Sequence, residues 1–210
     1  MGNRAVITTS KEWHSDGIGV YVHWNGGRDS VEAFLTYCEM KGYRAPDQDC
    51  YGWARLCQVL GNFFGGNTSV GIDKLWYLDR DNGDNGVYII EGWKIVDRIY
   101  HDGPEQHGYD LNAMLKSIDE RMPEGERFGN EFWEAELVDV ADLEVGDIVF
   151  VPNWDGSISK ETVSGIGVDK FVNGTRVFGI PYVDKYVSEQ PENNINNYLQ
   201  NKSYRRIKAK

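Results

Sequence analysis

The segment from Val20 to Leu35 most strongly constrains the fold of this 210-residue chain, because two glycines join two different periodicities there. Apolar residues alternate with other residues up to Trp24, as is typical of a half-buried strand. After Gly26 and Gly27, apolar residues recur at the helical spacing i, i+3, i+4 and i+7. These residues are Val31, Phe34, Leu35 and Cys38. The segment therefore predicts a strand, a tight turn and an amphipathic helix.

Acidic residues mark the expected starts of the helices. Asp29 is the predicted N-cap of the first helix, because Asp favours that position and Glu32 follows three residues later, as in a capping box. Gly42 is expected to end this helix, since glycine readily adopts the left-handed conformation found at helix ends. Two more apolar stripes at helical spacing begin near Asp49 and near Asp110. The first part of the chain therefore carries about three helices.

Runs rich in Val, Ile and Tyr predict strands around these helices. Residues 4–9 and 19–24 are expected to pair as neighbours across a turn, and residues 69–78 supply another strand. Residues 87–101 predict two strands joined at Glu91 and Gly92. Because short turns connect antiparallel strands, we expect a mixed antiparallel sheet packed with the helices.

The chain changes character after about residue 128, where short strands alternate with turns of Gly, Asn and Asp. Asn173 and Gly174 are a strong signal for a two-residue hairpin. The stretch LEVGDIV over 143–149 resembles the opening of many small barrel modules. The predicted fold class is α+β. The predicted parts are an α+β domain over 1–122, an acidic linker over 123–131 and a small β-barrel-like domain over 132–210.

Net charge is the second strong constraint. The chain has a formal net charge of −11, and residues 117–147 hold eleven acidic side chains against two arginines. A body this acidic repels nucleic acid and attracts basic protein surfaces instead. No apolar run approaches the roughly 18–20 residues that span a bilayer, and the N-terminus lacks the apolar core of a secretory signal. We therefore expect a cytoplasmic protein that binds neither DNA nor membranes directly.

The acidic run supplies the first candidate site, for a protein partner. Its carboxylates can imitate the phosphates of a nucleic acid and occupy the basic channel of a nuclease, where opposite charge speeds encounter. Trp133 can add an aromatic anchor of the kind that dominates interfaces. The predicted partner-binding residues are Glu124, Glu126, Glu131, Trp133, Glu134 and Glu136. The alternative interpretation is a solvated helix end and linker.

The glycine turn supplies the second candidate site. The hexapeptide NGGRDS resembles the Ser-Gly-Gly-x-Asp-Ser pyrophosphate loop of the PP-loop ATP pyrophosphatases, with Asn25 in place of the first serine. The residues that the resemblance implies for phosphate binding are Gly26, Gly27, Asp29 and Ser30. In such loops the glycines let the backbone approach the anion, and amides at the helix start point toward it. The same residues also fit a plain strand-to-helix connection.

The other chemistry-bearing residues predict no catalytic or metal site and no cofactor. The acidic loop over 79–86 fits neither possible register of a calcium-binding EF-hand, and no pair of histidines has metalloprotease spacing. Cys38 and Cys57 fall on the apolar faces of predicted helices, so we expect buried thiols there.

The opening MGNRAVIT and the later HWNGGRDS are similar to segments of uncharacterised proteins of bacteriophages and mobile elements, mostly of Gram-positive bacteria. Small acidic proteins of such origin often act against host defences, as anti-CRISPR and antirestriction proteins do. The resemblance implies a non-enzymatic protein that inhibits a host defence nuclease, or its complex with nucleic acid, in the bacterial cytoplasm. The alternative is a nucleotide-binding enzyme that uses the NGGRDS loop as a phosphate cradle.

Overall fold

The computed structural model describes the chain in eleven stretches. They are residues 2–12, 14–66, 69–101, 103–105, 108–153, 157–167, 170–172, 175–177, 180–184, 196–198 and 203–208. These residues confirm the predicted α+β class and divide into two compact units. Unit 1 contains the described residues up to Arg127, and unit 2 contains the described residues from Phe128 onward.

In its described residues, unit 1 consists of one five-stranded sheet and three helices. The strands are β1 (Ala5–Thr8), β2 (Ile18–Val22), β3 (Val70–Lys74), β4 (Val87–Glu91) and β5 (Lys94–Ile99), and the helices are α1 (Arg28–Met40), α2 (Cys50–Phe64) and α3 (Leu111–Arg121). The strand order is β3-β2-β1-β4-β5. The β1–β4 pair is parallel and the other pairs are antiparallel, so the sheet is mixed.

The central strands of this sheet are buried on both faces. Ile7, Val20 and Tyr88 are register partners on β1, β2 and β4, so they share one face, and none of them is exposed. Val6 points to the opposite face, where Leu75 from the segment after β3 packs against it. Strands buried on both faces need nearly continuous apolar sequence, and β1 and β4 have it.

Helices α2 and α3 start at the acidic caps that the sequence predicts. The carboxylate of Asp49 accepts the amides of Tyr51 and Gly52, at 2.9 and 3.3 Å. The carboxylate of Asp110 accepts the amide of Ala113 at 2.8 Å. Each contact satisfies N–H groups that have no acceptor inside the helix.

The start of α1 differs from the prediction. The helix begins at Arg28, and Gly27 is its N-cap, because the Gly27 carbonyl accepts the amide of Val31 at 3.0 Å. Asp29 therefore lies inside the first turn. The carboxylate of Glu32 pairs with Arg28 Nε at 2.7 Å instead of reaching back to the cap. The predicted capping box is wrong, because the extended residue Gly27 already provides the first helical acceptor.

Gly26 fastens the start of α1 to the sheet. Its amide donates to the carbonyl of Asn3 at 2.8 Å. A Cβ atom at this position would lie 2.6 Å from the carbonyl carbon of Arg4 and 2.7 Å from the amide nitrogen of Ala5. The glycine turn thus has a structural role that does not depend on a ligand.

In its described residues, unit 2 consists of one short helix and two sheets. The helix is α4 (Asn130–Glu134), and the strands are β6 (Glu136–Asp139), β7 (Ile148–Pro152), β8 (Ile158–Gly167), β9 (Lys170–Val172), β10 (Thr175–Val177), β11 (Ile180–Asp184), β12 (Asn196–Tyr198) and β13 (Ser203–Ile207). The larger sheet has the order β12-β11-β8-β7-β13-β6, and β9 pairs with β10. Its buried core includes Val138, Leu143, Val149 and Val163.

The predicted barrel is not found among the described strands. The outermost strands, β12 and β6, each pair with one neighbour and not with each other, so the described sheet is open. The hairpin predicted at Asn173 and Gly174 lies outside the described residues. The predicted linker over 123–131 contains a 3₁₀ turn, Glu124–Glu126, and the start of α4, and its role as a linker stays a prediction.

The described part of the chain holds no helix that is both long enough and apolar enough to cross a membrane.

Replacing Gly26 by Ala should lower the free energy of unfolding by about 1–3 kcal/mol, the usual cost of forcing a methyl group into filled space. Urea denaturation of the whole chain measures this change. Gly61→Ala is the matched control, because no atom lies within 4 Å of the Cβ position of Gly61 in α2. Alanine should stabilise that helix by about 0.5–1 kcal/mol. Equal effects of the two substitutions would contradict the close approach at Gly26.

Candidate anion site at the start of helix α1

The carboxylate of Asp29 holds another segment of unit 1 against α1. Its Oδ1 atom accepts the amide of Ser30 at 2.9 Å. Its Oδ2 atom accepts the amides of Gly108 and of Tyr109, the latter at 2.8 Å. Three N–H groups thus converge on one side chain. Asp29 therefore positions the 108–109 segment at the first turn of α1.

The first amides of α1 differ in their availability to a ligand. The amide of Gly26 is bonded to Asn3, and that of Ser30 is bonded to Asp29. The amides of Arg28 and Asp29 have no hydrogen-bond partner within the described ranges. They stand at the N-terminus of a 13-residue helix, where the helix dipole favours negative charge.

Two buried hydroxyl groups of unit 1 lack hydrogen-bond partners among the described residues. Ser30 lies in the first turn of α1 and Tyr88 on β4, and both residues are fully buried. Neither Ser30 Oγ nor Tyr88 Oη has a partner in the part of the chain that the structure describes. A buried hydroxyl without a partner costs about 1–3 kcal/mol. Such groups are rare in folded proteins, so their presence points to a role other than stability.

Burial and four charged groups influence the pKa of Tyr88. Burial raises the pKa of Tyr88 to about 12. The positive charges of Arg98 and Arg28 act to lower this pKa, and the negative charges of Glu105 and Asp29 act to raise it. Two of them, Arg28 and Asp29, belong to the first turn of α1.

Arg98 is a buried cation beneath this turn. It is the cross-strand partner of Tyr88, and its guanidinium carbon lies 5.9 Å from the centre of the Tyr88 ring. Its side chain is only 7% exposed. The Nε atom donates to the carbonyl of Asn85 at 2.9 Å, but the buried Nη2 atom has no partner among the described residues. A buried charge that keeps an unpaired N–H group is expensive to retain.

A second arginine and one carboxylate complete the arrangement. Arg28 Nη1 donates to Glu105 Oε1 at 2.8 Å. Arg98 Nη1 lies 4.0 Å from the same oxygen. Both guanidinium groups are therefore directed toward Glu105, which lies in the segment between β5 and α3.

We call these residues the α1 cluster: Arg28, Ser30, Tyr88, Arg98 and Glu105. Of the five buried side-chain atoms without partners in the described residues, three belong to this cluster. It joins residues from α1, β4, β5 and the following segment, all within unit 1. The hydroxyl groups of Ser30 and Tyr88 and the two guanidinium groups are hydrogen-bond donors, and donors suit an anionic ligand.

Ser30 lies in the first turn of α1 with a buried Oγ that has no partner among the described residues, and its role in phosphate binding stays a prediction. The structure shows structural contacts for the other three predicted phosphate residues. Gly26 packs against β1, Gly27 caps α1, and Asp29 holds the 108–109 segment.

Sequence reasoning missed the cluster residues outside the NGGRDS loop. Tyr88 and Arg98 are cross-strand partners only because the register shifts by one residue between Ile89 and Ile90, so simple alternation from the turn at Gly92 would have put them on opposite faces. No sequence pattern showed that the start of α1 lies near that face or that Glu105 reaches Arg28.

The acidic residues predicted to bind a partner are divided between the two units. In unit 1, Glu124 is exposed, while the carboxylate of Glu126 accepts Gln58 Nε2 at 3.0 Å. The backbone carbonyl of Glu126 also accepts Lys41 Nζ at 2.6 Å. Glu126 thus takes part in the packing of unit 1.

In unit 2, the predicted residues are also partly engaged. Glu131 pairs with Lys160, and Glu136 pairs with Arg206 at 2.7 Å. Trp133 packs edge-on against the ring of Phe132, and the guanidinium of Arg205 lies over both rings at 5.6 Å. Glu134 is exposed. Other residues of the chain therefore neutralise or hold several members of the predicted acidic surface.

The prediction of buried thiols at Cys38 and Cys57 is confirmed for Cys38 and only partly for Cys57. Cys38 is fully buried and Cys57 half-buried, and burial raises the pKa of both. In the described ranges, no three His, Cys, Asp or Glu side chains are grouped to hold a metal ion.

Comparison with models of protein families, with curated proteins and with solved structures finds no match to this chain. The resemblance to phage and mobile-element proteins stays a prediction.

Proposed function

We propose that unit 1 binds a phosphate-type anion, such as the pyrophosphate group of a nucleotide, at the α1 cluster. The observation that carries the proposal is that three buried atoms of unit 1 have no partners in the described structure: Ser30 Oγ, Tyr88 Oη and Arg98 Nη2. All three can donate a hydrogen bond. An oxyanion would accept from them and would offset the cost of burying them.

The charges near the cluster support an anionic ligand. Guanidinium groups have five donors and no acceptor, and their planar shape matches phosphate oxygens. Arg28 and Arg98 supply two such groups beside the N-terminus of α1, where the open amides and the helix dipole also favour negative charge. The resemblance of NGGRDS to a pyrophosphate loop supports the same location independently. The proposal concerns binding and assigns no reaction.

Ser30→Ala and Tyr88→Phe should each weaken binding of pyrophosphate about 10- to 100-fold, the usual effect of losing a hydrogen bond to a charged group. Neither substitution should lower the free energy of unfolding in the absence of ligand, because each removes a hydroxyl without a partner in the described residues. Isothermal titration calorimetry with pyrophosphate and with ATP measures the binding, and urea denaturation measures the stability.

Two controls separate binding from folding. Tyr51→Phe alters an exposed tyrosine and should change neither quantity. Tyr37→Phe removes a buried hydroxyl that donates to Asp119 at 2.7 Å, so it should lower the free energy of unfolding by about 1–3 kcal/mol. Absence of binding at millimolar pyrophosphate and ATP, or unchanged affinity in both cluster variants, would contradict the proposal.

A second candidate function is inhibition of a host defence nuclease by a phage or mobile-element protein in the bacterial cytoplasm. The observation that favours it is the net charge of −11 together with Glu124 and Glu134, which are exposed and have no ion-pair partner within the described ranges. Exposed carboxylates attract the basic nucleic-acid channel of a nuclease and speed encounter with it. Of the six predicted partner-binding residues, these two carry exposed carboxylates without ion pairs among the described residues.

Reversing both charges, with Glu124→Lys and Glu134→Lys in one protein, should weaken capture of candidate defence nucleases at low salt. Raising the salt concentration should weaken capture by the unaltered chain, because exposed charges are screened. The matched control is the double variant Glu12→Lys and Glu91→Lys, which changes the net charge equally at exposed positions. If the amount of nuclease captured changes neither with salt concentration nor with the Glu124→Lys and Glu134→Lys double variant, this candidate function is wrong.

A further inference from the structure

The two arginines of the α1 cluster already share one carboxylate of the chain itself. Glu105 Oε1 accepts Arg28 Nη1 at 2.8 Å and lies 4.0 Å from Arg98 Nη1. The side chain of Glu105 is 25% exposed, whereas that of Arg98 is almost buried. An anion bound between the two guanidinium groups would therefore need the position that this carboxylate holds.

We infer that Glu105 is a built-in competitor of the ligand, so that an anion binds the α1 cluster by displacing Glu105 from Arg28. The inference rests on the proposed function and adds a regulation of the same site. It also narrows the class of ligand. The shared Glu105 oxygen is within hydrogen-bond distance of Arg28 but not of Arg98, whereas a phosphate group has several oxygens and more than one negative charge near neutral pH. A multiply charged oxyanion can thus bridge both arginines, and a singly charged carboxylate is a weak competitor.

Glu105 lies in the segment between β5 and α3, next to a surface turn. The residues before it, Gly103 and Pro104, are exposed, and Gly103 has a left-handed φ of +78°. The Gly103 carbonyl accepts Arg98 Nη1 at 3.5 Å, and the Arg28–Glu105 pair is part-buried, with side chains 26% and 25% exposed. On the other side, Asp29 holds the amides of residues 108–109 at the first turn of α1. Displacement of Glu105 by an anion would therefore leave residues 108–109 attached to α1.

Pyrophosphate titration of the whole chain tests the inference, with Glu105→Gln as the variant. Glutamine keeps the shape of the side chain and removes its charge, so the variant should bind pyrophosphate about fivefold more tightly than the wild type, as expected for losing a partly exposed competing ion pair. Asp16→Asn is the matched control, because it removes one acid from another ion pair, with Lys74 at 2.8 Å, and changes the net charge equally. Its affinity should equal that of the wild type.

Each outcome separates the two claims. Tighter binding by Glu105→Gln than by the wild type supports the inference. Equal affinities of the wild type and Glu105→Gln overturn the inference and leave the proposed function standing. Absence of binding in both proteins overturns the proposed function and the inference with it. Glu105→Ala gives a second variant, with the same expected direction, should the glutamine protein fold poorly.

Discussion

The hydrogen bond from the Gly26 amide to the Asn3 carbonyl is the contact on which the α1 cluster depends. It draws the start of α1 against β1, which lies at the centre of the sheet between β2 and β4. A side chain at position 26 would collide with the backbone of β1, so glycine is needed for the approach. Asp29 then binds the amides of 108–109 at the same turn. The glycine turn therefore determines where the donors of α1, β4 and β5 meet.

The α1 cluster keeps groups that a fold selected for stability alone would have paired. Ser30 and Tyr88 bury hydroxyls without partners in the described structure, and Arg98 buries a charge with one N–H group unpaired. Elsewhere in unit 1 a comparable buried group is paired, since the hydroxyl of Tyr37 donates to Asp119. Local departures from the usual pairing rules are expected at functional sites, where binding offsets their cost. This contrast within one unit is the main physical reason to place a ligand at the cluster.

Local patterns in the sequence predicted most elements of unit 1, and they failed where the decisive partner lies far along the chain. Asp49 caps α2 as predicted, because a cap contacts amides only a few residues away. Asp29 looked the same in sequence, but its carboxylate accepts amides 79 and 80 residues further on. Arg98 was likewise missed, because it shares a face with Tyr88 only through the register shift between Ile89 and Ile90, which the sequence did not indicate. The sequence also suggested that the acidic run forms a single open surface. It could not show that basic residues far along the chain pair with members of the run, as Lys160 does with Glu131.

A crystal structure of the whole chain grown with pyrophosphate tests the central claim most directly. The claim requires phosphate oxygens within hydrogen-bond distance of the guanidinium groups of both Arg28 and Arg98 and of the hydroxyls of Ser30 and Tyr88. It also requires the carboxylate of Glu105 to have left Arg28. Pyrophosphate bound elsewhere on the chain, or an α1 cluster that is unchanged at saturating pyrophosphate with Glu105 still on Arg28, would contradict the claim.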